Sequence, residues 1–268
     1  MRPGAGRRGR RAAGAVSLVA LATAAGLLAA PAREPPVVRA TATGGVPPPV
    51  APAFTPGPPR RLGPARDRAL WAPVKRAVAV RSAPDAAAAR IAALPAVTPE
   101  GTRNVVAVVR RDHDRRGRRW VEVRLAVLPN GRTGWVPRSA LGGYGTVHTR
   151  LVVDLRALSA TLYRRGRAVL RAPVAVGAAA TPTPAGEFYV RNRLTRYRSA
   201  TYGPVAFGTS ARSPGATDWP AGGFVGIHGT DRPDLVPGRI SHGCIRMRNA
   251  DILVLARRMP VGTPVTIR

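Results

Sequence analysis

Cys244 is the only cysteine in the 268-residue chain. It lies in Ser241-His242-Gly243-Cys244-Ile245-Arg246, downstream of a His228-Gly229 pair. A thiol attacks an amide as its thiolate, and an unassisted cysteine has a pKa of about 8.5. A neighbouring imidazole can take the thiol proton and return it to a leaving amine; His228 and His242 are the candidates. His242 stands two positions before Cys244, so a strand would place both side chains on one face, whereas a turn broken by Gly243 need not. Gly243 removes a side chain where an acyl carbonyl must approach. It also leaves the amides of Gly243 and Cys244 to receive an oxyanion, a contribution of about a hundred- to thousandfold in rate per donor. A lone cysteine is most often a small buried hydrophobe, and a lone histidine is usually structural or solvated, as His113 and His148 read. Two His-Gly pairs around the sole thiol favour acyl-transfer chemistry instead. One cysteine and two histidines without a well-placed carboxylate do not close a metal site, so no metal is expected. Asp231 and Asp234 follow His228, but Thr230-Asp231-Arg232-Pro233-Asp234 reads as a turn rather than as an imidazole clamp.

The elements that must hold these residues are short. Gly and Pro are abundant and aromatics sparse, a composition that suits strands and turns better than a helix bundle. The pattern predicts strands at 77–81, 105–109 and 120–125, the last alternating apolar and polar residues. Asn130-Gly131 signals a hairpin, and Gly134-Trp135-Val136-Pro137 closes this first unit, read as residues 67–143. Further strands are predicted at 151–155, 160–163, 169–176 and 188–191, with Thr183 to Phe188 as a tight turn feeding the last of them. Residues 192–223 read as an irregular loop, long enough to be a functional lid. A strand at 226–228 and the cysteine motif follow. Asn249 then caps a helix carrying Ile252, Leu255, Ala256 and Met259 on one face, and 261–267 closes the second unit, 146–268.

The formal charge is +30, from 43 basic and 13 acidic residues. Phosphate-binding proteins share such a balance, yet here the basic residues are spread through every segment, and Lys75 is the only lysine. The N-terminus argues against a nucleic-acid partner. Arg2, Arg7, Arg8, Arg10 and Arg11 precede the uncharged stretch Ala12 to Ala30, and Ala30-Pro31-Ala32 offers a small-residue cleavage site. This is the layout of a secretory signal over residues 1–32, or of a weak membrane anchor. Export places the chain outside the cytoplasm beside an anionic cell envelope, with the membrane touched only through that segment. It also sharpens the meaning of the thiol, since an unpaired cysteine in an oxidising compartment is a liability unless its reactivity is used. Residues 33–66, dense in proline, read as an extended disordered linker.

Two stretches resemble known families. Gly131-Arg132-Thr133-Gly134-Trp135-Val136-Pro137 resembles the ending of bacterial SH3-like modules, which implies a small barrel that binds wall or presents substrate; a plain spacer domain fits the residues equally. His228-Gly229-Thr230 with Ser241-His242-Gly243-Cys244-Ile245-Arg246, preceded by Val174-Ala175-Val176-Gly177 and Thr183-Pro184-Ala185-Gly186-Glu187-Phe188, resembles the signature of L,D-transpeptidases of the YkuD type. The implied fold is mainly β: an SH3-like barrel, then a YkuD-type β-sandwich with one or two short helices. The implied roles are Cys244 as nucleophile, His228 as general base and acid, the backbone carbonyl of Gly229 orienting His228, His242 assisting, and the Gly243 amide holding the oxyanion. Ser241, Arg246, Tyr202 and Trp219 are the candidates for substrate contact. The implied substrates are peptidoglycan stem peptides with no metal or organic cofactor needed, and acylation of Cys244 by carbapenems is expected from the same resemblance. An L,D-carboxypeptidase using the same residues, or a non-catalytic wall-binding protein, are the other readings.

Overall fold

The alternating segment around Trp120 is a strand in the interior of the first of two sheets, where Trp120, Val121 and Val123 are buried and Arg119 is exposed. The computed structural model describes residues 68–215 and 222–268, so the expected signal segment and the proline-rich linker lie outside the described residues. The first sheet comprises β1 (Ala69–Pro73), β2 (Val78–Arg81), β3 (Arg90–Leu94), β4 (Val105–His113), β5 (Arg119–Arg124), β6 (Thr133–Pro137) and β7 (Gly145–Val147). These are antiparallel throughout, in the order β3-β2-β6-β5-β4-β1-β7. Val80, Val106, Val121, Val123 and Val136 are at most 1 % exposed and form its core. Each such side chain contributes about 1.5–3 kcal/mol on burial. β7 extends this unit beyond residue 143, because Gly145 to Val147 pair with β1.

The second sheet contains β8 (Thr149–Asp154), β9 (Ser159–Arg164), β10 (Arg167–Pro173), β11 (Ala175–Gly177), β12 (Gly186–Leu194), β13 (Ala206–Arg212), β14 (Phe224–His228), β15 (Gly238–Ser241), β16 (Ile245–Arg246) and β17 (Pro264–Ile267), with one helix, α1 (Asn249–Arg258). Its order is β10-β9-β8-β17-β12-β13-β14-β16-β11-β15, so the expected sandwich is one curled sheet. β12 is the strand on which the sheet turns. Its first half pairs with β17 from Gly186 to Tyr189, and its second half pairs with β13 from Val190 to Leu194. Between Val190 and Asn192 the register slips, leaving Arg191 as the extra residue of a bulge. Bulges bend a strand and re-aim a side chain.

Three sequence-based expectations are corrected. The 192–223 loop contains β13, whose residues Ala206 to Ala211 are all buried and therefore show no alternation. Where both faces of a strand are covered, periodicity cannot reveal it. The single strand expected at 169–176 is two, divided at Val174, whose N–H donates to Leu158 at 2.8 Å. Asn249 is not the helix cap: Arg248 occupies that position without a side-chain bond, and Asn249 Oδ1 instead accepts the N–H of Thr230 at 2.9 Å. α1 buries Ile252 and Leu255, followed by Met259, in the second core.

The two sheets meet through buried polar groups. A tight loop between Val97 and Arg103 is closed by Thr98 N to Thr102 O at 2.8 Å and carries Glu100 at its tip. Glu100 Oε1 pairs with Arg191 Nη2 at 2.6 Å, and both side chains are at most 3 % exposed. Asn192 Nδ2 donates to Thr98, Glu100 and Thr102 at 3.0–3.3 Å. Tyr189 Oη donates to Val105 O at 3.2 Å. Asn130 exchanges two bonds with the backbone of Arg212, at 2.8 and 2.9 Å. The residue expected to make a hairpin turn is thus also a clamp on β13.

Candidate active site

The cysteine motif occupies the gap between two short strands. β15 ends at Ser241 and β16 begins at Ile245, so His242, Gly243 and Cys244 form the bend between them. Gly243 has φ 117°, a conformation that a Cβ would strain. The bend is braced from inside. Ser241, 1 % exposed, accepts from Gly243 N at 3.1 Å and donates to Cys244 O at 2.5 Å. Thr183 Oγ1 donates to Gly243 O and accepts from Gly177 N, both at 2.9 Å. Thr181 Oγ1 and the N–H of Ala178 both donate to Ser241 O, at 3.0 and 2.8 Å.

β16 runs parallel to β14, with Ile227 opposite Ile245 and His228 opposite Arg246. Cys244 therefore comes level with Gly226, whose N–H donates to Sγ at 3.3 Å. A donor directed at sulfur interacts more strongly with thiolate than with thiol. Alternation along β14 puts Phe224, Gly226 and His228 on the same side, and Phe224 and Cys244 share one small buried cluster with Ala206. His228 is 2 % exposed. Its Nδ1 lies 2.7 Å from the carbonyl oxygen of Gly229. A carbonyl only accepts, so Nδ1 carries the proton and Nε2 of the neutral ring presents its lone pair.

His242 is exposed in the bend, two positions before the buried Cys244. Ser241 is expected to touch substrate; its hydroxyl is instead engaged within the loop on both sides. The Gly243 amide, expected to be open, donates to that same hydroxyl. Arg246 is half-buried on β16, alongside His228. The Tyr202 ring lies 4.5 Å from the His228 ring, tilted by 53°, and Tyr197 meets it edge-on at 6.5 Å. Burial pushes the Tyr197 phenol up to about 12, so it stays protonated and donates to Tyr202 O at 3.3 Å. Trp219 lies outside the described residues. Asp231 and Asp234 are exposed, and Asp234 pairs with Arg232 at 3.0 Å. Among the described residues no group of three or more His, Cys, Asp or Glu is arranged to hold a metal ion.

Three further residues shape the site that the sequence did not single out for this purpose. Thr183 supports the nucleophile bend and Asn249 the loop after His228. Gly203, with φ 64°, lets the segment carrying Tyr202 approach Gly229 closely, since a Cβ there would meet Gly229 Cα at 2.8 Å. Thr183 stands in the stretch that carries the family resemblance, and this was its only signal.

The L,D-transpeptidase catalytic domain family (YkuD) matches residues 148–267, from the junction after β7 to the last strand. The chain is 39 % identical over 122 residues to a protein assigned as L,D-transpeptidase YkuD of Bacillus licheniformis, covering 46 % of this chain and 67 % of that protein. Its counterpart in Bacillus subtilis is 36 % identical over 122 residues, with the same coverage. Among solved structures, an Enterococcus faecium L,D-transpeptidase variant aligns at 29 % identity with a TM-score of 0.36, covering 45 % of this chain and 49 % of that one. The chain thus spans two thirds of the Bacillus relatives and about half of the Enterococcus protein.

Proposed function

Because this chain belongs to the L,D-transpeptidase family, we propose that it cross-links peptidoglycan stems through an acyl-enzyme on Cys244. The His228 Nδ1 bond to Gly229 O is the observation that carries this reading, because a proton held on Nδ1 makes Nε2 the basic nitrogen of the ring. Nε2 takes the thiol proton, and sulfur attacks the carbonyl at the L-centre of diaminopimelate in a tetrapeptide stem. The oxyanion that forms draws on the amides of the bend. The Gly243 N–H shares itself between Ser241 Oγ and the substrate oxygen as a three-centre bond. As the tetrahedral intermediate collapses, the proton on Nε2 passes to the amine of the departing D-alanine and a thioester remains. A diaminopimelate side-chain amine of a second stem attacks that thioester, gives its proton to Nε2, and the restored thiol leaves a direct cross-link between two third residues. His242, exposed in the bend that carries the thiol, assists the intermediate, and Arg246 and Tyr202 are the candidates for holding the stem.

Further parts of the reading concern the rest of the chain. The signal-like N-terminus supports export to the cell wall, and the charge of +30 suits an anionic envelope. The first sheet is read as an SH3-like module on its Gly-Arg-Thr-Gly-Trp-Val-Pro ending. Its buried contacts with β12 and β13 favour a structural role over independent wall binding.

Product analysis tests the reaction. The purified protein, incubated with a disaccharide-tetrapeptide, is expected to release D-alanine and give a cross-linked dimer, with neither product from Cys244→Ala. Release of D-alanine with only tripeptide would make water the acceptor and the protein an L,D-carboxypeptidase.

A further inference from the structure

Arg191, the extra residue of the bulge in β12, is buried, and its guanidinium is held by Glu100 of the first sheet at 2.6 Å. The same guanidinium lies 4.0 Å over the Phe224 ring. Phe224 belongs to the buried cluster of Cys244, two residues before Gly226, whose N–H meets Sγ. From these contacts we infer that Glu100 is a positioning residue for the nucleophile, acting through Arg191 and Phe224, with the 97–103 loop as the key that locks the β12 bulge. The inference rests on Cys244 being the nucleophile proposed above.

A bulge interrupts the ladder, and here side chains of the bulge itself replace what is lost. Asn192 Oδ1 accepts the N–H of Gly208 at 3.0 Å, and Arg191 Nε donates to Thr209 O at 3.3 Å. Both side chains are then fixed at their far ends by the loop, Asn192 Nδ2 through Thr98, Glu100 and Thr102, and Arg191 through both oxygens of Glu100. A carboxylate fork on a guanidinium sets its plane as well as its position. That plane is the surface against which the Phe224 ring rests. Arg212 also lies 4.0 Å over this ring, its own backbone clamped by Asn130. Burial, together with the charge of Arg191, lowers the pKa of Arg212. Without Glu100 the two cations over Phe224 would face each other unbalanced, and the ring beside the thiol would lose its fixed seat.

The test compares Glu100→Gln/Arg191→Met and Phe224→Leu with the wild-type full chain. The readouts are thermal unfolding and the rate of Cys244 alkylation by iodoacetamide across pH 5–9. Replacing both members of a buried ion pair by uncharged groups is often neutral for stability, so the double variant is expected to unfold close to the wild-type temperature. Its alkylation rate is nevertheless expected to fall about tenfold, the scale of a reacting group held slightly out of place. Phe224→Leu is expected to show a similar fall in rate. Wild-type alkylation at every pH in a folded double variant would overturn the inference; should that variant not fold, wild-type alkylation in Phe224→Leu would do so. Alkylation needs no peptidoglycan, so the result stands apart from whether the proposed cross-linking reaction is found.

Discussion

Cys244 has a backbone donor on its sulfur and an internally bonded serine beneath its bend, and the adjoining strand β14 ends on a histidine whose tautomer is set by a carbonyl. The division of labour gives two predictions. His228→Gln keeps a polar side chain on β14 but supplies no base, and turnover of tetrapeptide is expected to fall by about 10²–10⁴-fold; steady-state release of D-alanine measures it. Ser241→Ala leaves the buried Gly243 N–H without its acceptor, at a cost of about 1–3 kcal/mol. Urea unfolding should show that loss, and an unchanged midpoint would remove Ser241 as the brace of the loop. The residue types at the site were legible in sequence, because a sole cysteine preceded by two His-Gly pairs is a chemical statement in itself. The use of each polar atom was not. Whether the Gly243 amide faces a ligand or a hydroxyl depends on how the bend is folded, and the motif alone cannot fix that.

The strands show the same division. β5 was readable because one face is buried and the other carries Glu122, which accepts from Arg110 Nε at 3.0 Å and Thr133 Oγ1 at 2.7 Å. β13 was hidden because Ala206 to Ala211 are buried on both faces and rich in small residues. The turn between β4 and β5 carries a pH prediction. Partial desolvation acts to raise the Asp114 pKa, but the N–H of Arg118, the Trp120 indole, the Arg118 guanidinium and the N–H of Arg116 outweigh it and hold the carboxyl at about 2. The folded value lies below the unfolded one, so the stabilisation is present above about pH 4 and is lost as pH falls through about 2. Asp114→Asn is expected to lower the melting temperature at pH 7, with the difference from wild type shrinking towards pH 2. A gap that stays constant across that range would show that the charge of Asp114 contributes nothing.

Over the whole molecule, the family match begins at residue 148, yet contacts that steady β12 and β13 come from residues 97–130. A chain beginning at 148 would leave Arg191 buried without Glu100 and Tyr189 Oη without Val105, and breaking one buried ion pair alone costs about 3–5 kcal/mol. Such a truncation is expected to unfold at a markedly lower temperature than the full chain, and circular dichroism melting is the check; equal stability would make the first sheet an appendage. No sequence pattern announced this dependence, because Asn130 and Tyr189 read as ordinary turn and strand residues and nothing in the pattern singles out Glu100 until the two sheets are seen together. The central claim, an acyl-enzyme on Cys244, is tested most directly by intact-protein mass spectrometry of samples quenched during turnover of a disaccharide-tetrapeptide. An adduct of the disaccharide-tripeptide acyl group is expected, mapping to the peptide containing Cys244 and absent in Cys244→Ala. Turnover without that adduct, or an adduct on another residue, would contradict the claim.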